Sequence, residues 1–209
     1  MSEKLDFWLA EMPAVAILRG VHPEEVVDIA MAIYEAGIGI IEVPLNSPDP
    51  LQSIRKLSDA LGEQCVVGCG TLVDEALVDG VAESGAQIAV TPNTDQAIIQ
   101  KAIAAGLIPI PGWATPSEAF AAYAAGARYL KLFPAASYGP SHVSAVRAVL
   151  PSDARVLAVG GVGASNAGEW FAAGVDGLGI GSELYKPGQS AAETGQRAAM
   201  IVKAIKAAR

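Results

Sequence analysis

One phrase recurs along the chain: a helical stretch, small residues, a glycine, then a short apolar run. Glu35-Ala36-Gly37 leads into Ile38 to Ile41, Ser84-Gly85-Ala86 into Gln87 to Val90, and Ala105-Gly106 into Leu107 to Ile110. Ala125-Gly126 leads into Ala127 to Leu132, and Ala173-Gly174 into Val175 to Ile180. Glycine just past a helix takes the left-handed backbone conformation at no steric cost, so the phrase marks where helices stop and strands begin. With apolar runs that lack the glycine, eight strands are predicted: 14–19, 38–43, 65–71, 87–91, 107–111, 128–133, 155–160 and 177–181. Helical patterns fill the intervals. Several open on a cap or proline, as in His22-Pro23-Glu24-Glu25, Ser47-Pro48-Asp49, Thr115-Pro116-Ser117-Glu118 and Ser165-Asn166.

The repeat of roughly 20–25 residues is close to the shortest that a strand, a crossover helix and two loops can occupy. Alternating strands and helices give an α/β fold with a parallel sheet under helices, and eight such units close most economically into a (β/α)8 TIM barrel. An open, doubly wound sheet is the competitor. It predicts an early dinucleotide glycine fingerprint, which Arg19-Gly20-Val21-His22-Pro23 does not supply. Residues 2–11 predict an extra N-terminal helix covering the barrel bottom, and about 191–208 a last helix packed on the wall. No linker interrupts the pattern, so 1–209 reads as a single barrel domain; 52% hydrophobic residues supply the core it needs.

Three predicted strands end on a lone charge: Arg19 after Ala14–Leu18, Glu42 within Ile40–Pro44, and Lys131 within Arg128–Pro134. Alternation puts Tyr129, Lys131 and Phe133 on one face and Leu130 and Leu132 on the other. Either face sets the ammonium in or beside apolar surroundings. Desolvation disfavours its charged form, and the free amine is a nucleophile suited to covalent chemistry on a carbonyl. The bland alternatives are a snorkelling edge lysine, an ion pair at Glu42 and a rim salt bridge at Arg19. Barrel sites lie at the C-terminal ends of the strands, where these three fall. The same ends carry Thr71, Pro92, Trp113 and two glycine corners, Val159–Gly163 and Gly179–Ser182. Corners after strands seven and eight often hold a phosphate on backbone N–H groups, although glycine also serves tight turns.

The net charge of −8 argues against a nucleic-acid partner. No apolar stretch reaches membrane-spanning length, and the start lacks a secretory pattern, which points to the cytoplasm. Cys65 and Cys69, four apart in one predicted strand, are too distant for a disulfide and too few for a zinc site, so they read as apolar filler. His22 and His142 read as capping or surface groups.

Arg128 to Pro134, Ile41 to Pro48, Gly68-Cys69-Gly70-Thr71, Val90-Thr91-Pro92-Asn93 and Val159-Gly160-Gly161-Val162 resemble the class I aldolases acting on 2-keto-3-deoxy-6-phospho-sugar acids. The resemblance covers nearly the whole chain, in order and spacing. It lies nearer the galactonate branch of that family than the gluconate branch. The gluconate branch reads Glu-Val-Thr-Leu-Arg where this chain has Glu42-Val43-Pro44-Leu45-Asn46, and tends to carry threonine where this chain has Val159.

The resemblance implies that Lys131 forms a Schiff base with the C2 ketone of a phosphorylated keto acid while Glu42 shuttles protons, partly through a water. The products would be pyruvate and glyceraldehyde 3-phosphate. No cofactor or metal is implied, because the iminium is the electron sink. Arg19 and Thr71 would take the C1 carboxylate, Phe133 and Pro92 would wall the pyruvate end, and Val159 would lie near the C4 hydroxyl. Gly161, Gly181 and Ser182 would cradle the phosphate and Gly160 would also touch substrate; Ser182 could equally serve only as N-cap of a short helix. The family also implies a homotrimer. A sugar-phosphate isomerase or epimerase, with Lys131 only electrostatic, and a non-catalytic metabolite-binding barrel are the competing functions.

Overall fold

The computed structural model describes residues 2–209, and its parallel strands close into a ring wrapped by helices. The strands are β1 (Ala14–Ile17), β2 (Ile40–Pro44), β3 (Val66–Gly70), β4 (Ile88–Val90), β5 (Ile108–Ile110), β6 (Gly112–Trp113), β7 (Tyr129–Leu132), β8 (Arg155–Val159) and β9 (Gly177–Ile180). They are ordered β5-β4-β3-β2-β1-β9-β8-β7-β6, so the two ends of the sheet are neighbours in the chain. β5 pairs with β4 and β6 pairs with β7, with only Pro111 between them. The predicted fifth strand is therefore one barrel strand broken at a proline and extended to Trp113. Pro111 cannot donate to a ladder, but its carbonyl accepts from Lys131 N at 2.8 Å, and Trp113 O accepts from Phe133 N at 3.1 Å. Those two bonds close the ring.

The helices are α1 (Ser2–Glu11), α2 (Val26–Glu35), α3 (Pro50–Leu61), α4 (Val78–Glu83), α5 (Gln96–Ala104), α6 (Pro116–Ala124), α7 (Ala135–Tyr138), α8 (Pro140–Arg147), α9 (Ala167–Ala172) and α10 (Ala191–Ala207). None is long and apolar enough to cross a membrane. The five repeat glycines, Gly37, Gly85, Gly106, Gly126 and Gly174, all take positive φ, as their place after a helix requires. Thr115 and Glu118 form a full capping box at the start of α6.

Some boundaries differ from expectation. β1 ends at Ile17, leaving Arg19 in the corner beyond it, and β3 begins after Cys65. Only a turn comes after β9: the N–H groups of Leu184 and Tyr185 both reach Gly181 O, and no helix starts at Ser182. The capping role expected of Ser182 falls away for that reason. His142 is half-buried rather than a free surface group: its ring packs against Trp113 and Tyr138, at centroid distances of 5.7 and 5.0 Å, with Nε2 buried.

Strand alternation sorts the core into two layers. Ala16, Ile41, Val67, Leu130, Ala158 and Leu178 face the helices, while Val15, Ile40, Val66, Ile88, Ile110, Tyr129 and Leu157 fill the barrel. Leu5 and Leu9 of α1 belong to the inner set, so this helix seals the barrel floor. Burying each leucine stabilises the closure by about 1.5–3 kcal/mol. Polar contacts fix its position: Tyr129 Oη donates to Asp6 Oδ1 at 2.8 Å, and Trp8 Nε1 donates to Gln64 O at 2.9 Å. Trp8 lies directly beneath Gly39, where a Cβ would fall 2.0 Å from the indole.

Candidate active site

The inward alternation that carries Ile40 and Tyr129 carries Glu42 and Lys131 one step higher. Register sets Glu42 beside Ile17 and Lys131 beside Leu157, and the two ionisable groups face each other across the barrel interior. Glu42 is 4% exposed and Lys131 7%. With Ile17, Val90, Ile110, Val159 and Gly179 they enclose a small cavity of about 10 Å³. Gly70 leaves space for the carboxyl, since a Cβ there would fall 1.8 Å from Glu42 Oε2.

The two groups make no direct ion pair within 4.0 Å. Glu42 Oε2 is buried without a hydrogen-bond partner, while Lys131 Nζ sits 4.9 Å from the centroid of the Phe133 ring. Burial is the main influence on both. It pushes the Glu42 carboxyl up to about 7, against the lowering pull of Lys131 and then Arg19. It brings the Lys131 ammonium down to about 8, opposed by Glu42 and assisted by Arg19. Burial thus moves both groups toward neutrality, the direction that suits a carboxyl to proton transfer and an amine to nucleophilic attack.

Above this pair opens a cavity of about 530 Å³. Arg19, Phe133, Val159, Gly160, Gly161, Gly181 and Ser182 line it, so seven of the eleven residues singled out in the sequence share its wall. Lys131 and Glu42 lie beneath, where the two cavities share Ile17, Val159 and Gly179. Gly160 and Gly161 take φ of 96° and 74°. Among the described residues, the N–H groups of Gly161, Val162, Ser182 and Glu183, in the β8 and β9 corners, have no hydrogen-bond partner, and unpaired N–H groups are what an anion needs. A Cβ on Gly181 would meet nothing within 4 Å, so this backbone faces open space.

Thr71 and Pro92 line neither cavity. They follow β3 and β4, on the far side of Glu42 from the β8 and β9 corners. Thr71 holds φ of 57°, a left-handed conformation that costs a β-branched residue on the order of 1–3 kcal/mol and that collects at functional sites.

Sequence reasoning missed the segment Glu183 to Pro187, which forms one wall of the large cavity. Glu183 Oε1 accepts from Ala164 N at 2.9 Å and so ties the β9 corner to the β8 corner. Asn166 steadies the latter, accepting from Gly163 N at 3.0 Å and donating to Gly161 O at 2.9 Å. The cavity also holds Lys186. No periodic signal marks these positions, because they lie in irregular backbone. Among the described residues no cluster of three His, Cys, Asp or Glu side chains is placed to hold a metal.

Known proteins share the sequence and the fold. The family model for KDPG and KHG aldolase matches residues 5–201. The 2-dehydro-3-deoxy-6-phosphogalactonate aldolase of Escherichia coli (strain K12) is 45% identical over 201 residues, covering 96% of this chain and 98% of the relative. A native KDPGal structure superposes with a TM-score of 0.93 at 45% identity, covering 95% of this chain and 96% of the other. A subunit of a cube-shaped protein cage, designed by fusing symmetric oligomeric domains, also matches at a TM-score of 0.93 and 45% identity, over 95% of this chain and 73% of that one.

Proposed function

The chain belongs to the KDPG and KHG aldolase family, and from that premise we propose that it cleaves 2-dehydro-3-deoxy-6-phosphogalactonate to pyruvate and glyceraldehyde 3-phosphate through a Schiff base on Lys131. The observation that carries the mechanism is a buried amine and a buried carboxyl that share one inner cavity, with burial lowering the first pKa and raising the second, beneath a larger cavity lined by the glycine corners.

Lys131 Nζ, as free amine, adds to the C2 carbonyl. Glu42 passes protons to the carbinolamine oxygen, which leaves as water and yields the iminium. Glu42 then takes the C4 hydroxyl proton, through a water where the reach is too long. The C3–C4 bond breaks, its electrons flow into the iminium, and the aldehyde departs. Protonation of the enamine at C3 and hydrolysis release pyruvate and restore Lys131. Gly160, Gly161, Gly181 and Ser182 receive the phosphate, which fixes C6 and thereby the distance from C2 to the amine. Phe133 walls the pyruvate end and Val159 lies against C4; Pro92, which lines neither cavity, drops out of that role.

Arg19 supplies the positive charge for an acidic end of the substrate. The family resemblance assigns it, with Thr71, to the C1 carboxylate. A second assignment is favoured by its position on the wall that carries Gly161, Gly181 and Ser182, from which Thr71 is absent. On that assignment the guanidinium meets the phosphate. Condensing pyruvate with glyceraldehyde and with its 3-phosphate separates the two: a phosphate-binding Arg19 makes Arg19→Ala costly for the phosphorylated aldehyde alone.

Borohydride reduction in the presence of pyruvate tests the mechanism. A pyruvate adduct mapped by mass spectrometry to Lys131, and lost in Lys131→Ala, is expected. Active protein with no reducible adduct would favour the isomerase or epimerase reading. Val159 presents methyl groups to C4, so the galactonate epimer should give the higher kcat/KM, and Val159→Thr should narrow that gap. A preference for the gluconate epimer in the unaltered protein would overturn the substrate assignment. The likeness to a cage built from symmetric oligomeric domains supports an oligomer, and we take the family's homotrimer as the expected form, to be checked by sedimentation.

A further inference from the structure

Arg19 is held by a neutral partner. Its Nη1 donates to Asn46 Oδ1 at 2.7 Å, and no carboxylate comes within 4.0 Å of the guanidinium. The two residues belong to neighbouring corners, after β1 and after β2, whose register pairs Ile17 with Glu42. A second bond joins the same corners: Gly20 N donates to Ser47 Oγ at 3.0 Å, and Ser47 is buried. Gly20 takes φ of 79°, and a Cβ there would fall 2.7 Å from Pro187 Cγ, so the β9 side fixes this corner as well. The backbone beneath Arg19 is thus clamped from both sides, yet its side chain is exposed and long. Asn46 is its one side-chain anchor among the described residues.

We propose that Asn46 is a positioning residue for substrate binding: it aims the Arg19 guanidinium into the large cavity while leaving the charge unneutralised. The inference rests on the reading of Arg19 as the cation for an acidic group of the substrate. An amide oxygen accepts one N–H and contributes no counter-charge. Nε and Nη2 stay free for a two-point contact with a carboxylate or phosphate. An aspartate at this position would accept the same bond, but would pair with the cation and repel the incoming anion. A residue without an acceptor would release a side chain with many rotamers, and the order must then be recovered from substrate binding energy. Geometry and charge are therefore separable by two substitutions at one position.

The test measures kcat and KM for the phosphorylated keto acid in Arg19→Ala, Asn46→Ala, Asn46→Asp and Arg19→Ala/Asn46→Ala. Asn46→Ala and Asn46→Asp are each expected to raise KM about tenfold, with kcat held within about twofold. The double variant should be no worse than Arg19→Ala within about twofold, because Asn46 acts only through the guanidinium. Borohydride trapping at saturating pyruvate should be unchanged in Asn46→Ala, which separates positioning from damage to the barrel. A normal KM in Asn46→Asp, or a loss in the double variant equal to the product of the two single losses, overturns the proposal while leaving Arg19 as ligand. A normal KM in Arg19→Ala removes the reading of Arg19 itself, and the inference falls with it.

Discussion

Replacing Glu42 with Gln removes a charge while nearly preserving shape, and its effect on Lys131 has a definite sign. The Glu42 carboxylate raises the Lys131 basicity, whereas burial and Arg19 both lower it. Deleting that carboxylate must therefore bring Lys131 below its value of about 8. For unit charges beyond 4.0 Å at an effective dielectric near 20, the interaction is worth less than about 4 kcal/mol. Glu42 titrates near 7, so it is only half ionised at neutral pH, and a fall of about one unit, or about 1.4 kcal/mol, is the expected size. The free-amine fraction at pH 7 then rises from about a tenth to about a half. Imine formation should survive and its pH limb should move toward acid. Turnover should drop by about 10²–10⁴, because no group remains to take the C4 hydroxyl proton. The assay pairs borohydride trapping of pyruvate at a series of pH values with pyruvate release from the sugar acid. A trapping limb that stays in place or moves toward alkali would refute the electrostatic argument, and near-normal release would refute the proton-transfer role.

Glu42→Gln/Lys131→Met should stabilise the fold by about 1–4 kcal/mol in urea unfolding, since two buried ionisable groups that lack a direct pair are replaced by neutral ones. The raised carboxyl contributes stability that is full below 4.5 and lost as pH rises through about 7. The lowered ammonium contributes stability that is present above 10.5 and lost as pH falls through about 8. The gain should therefore be largest between about pH 7 and 8, and a gain that is flat with pH would contradict it. Gly181→Ala should fold normally, because its Cβ meets open space, yet raise KM for the phosphorylated substrate by placing a methyl in the cradle. Gly161→Ala differs, since positive φ and a Cβ 2.5 Å from Ala136 Cβ add strain, so it should also lower the unfolding midpoint.

The barrel is legible in the sequence because its repeat rests on local chemistry. A glycine after each of five helices is needed for the chain to turn into the next strand, and all five adopt the expected φ. A period of two groups Lys131 with Tyr129 and Phe133 on one face whatever the error at strand ends, but leaves open which face is inward; closure of the barrel decides that, and Tyr129 belongs to the inner layer. Sequence reasoning sets Pro111 at the end of a strand rather than inside one, because a proline ordinarily terminates a ladder; here its carbonyl bridges to Lys131 N. The absence of a helix after β9 is equally illegible. Gly181-Ser182 looks like a helix start, but Leu184 and Tyr185 turn back onto Gly181 O. The contact between Arg19 and Asn46 joins residues 27 apart in the chain through side-chain directions that no periodicity encodes. From sequence, Asn46 marks only the place where an arginine is missing.

Because α1 plugs the lower end of the barrel, the reaction chamber is a cul-de-sac. Traffic in both directions must share one doorway, and under the proposed mechanism the three-carbon fragment held on Lys131 stands behind the aldehyde. Departure is therefore a queue: aldehyde first, keto acid last, with the reverse sequence in condensation. Inhibition by pyruvate should accordingly compete with the sugar acid, whereas inhibition by the aldehyde should not.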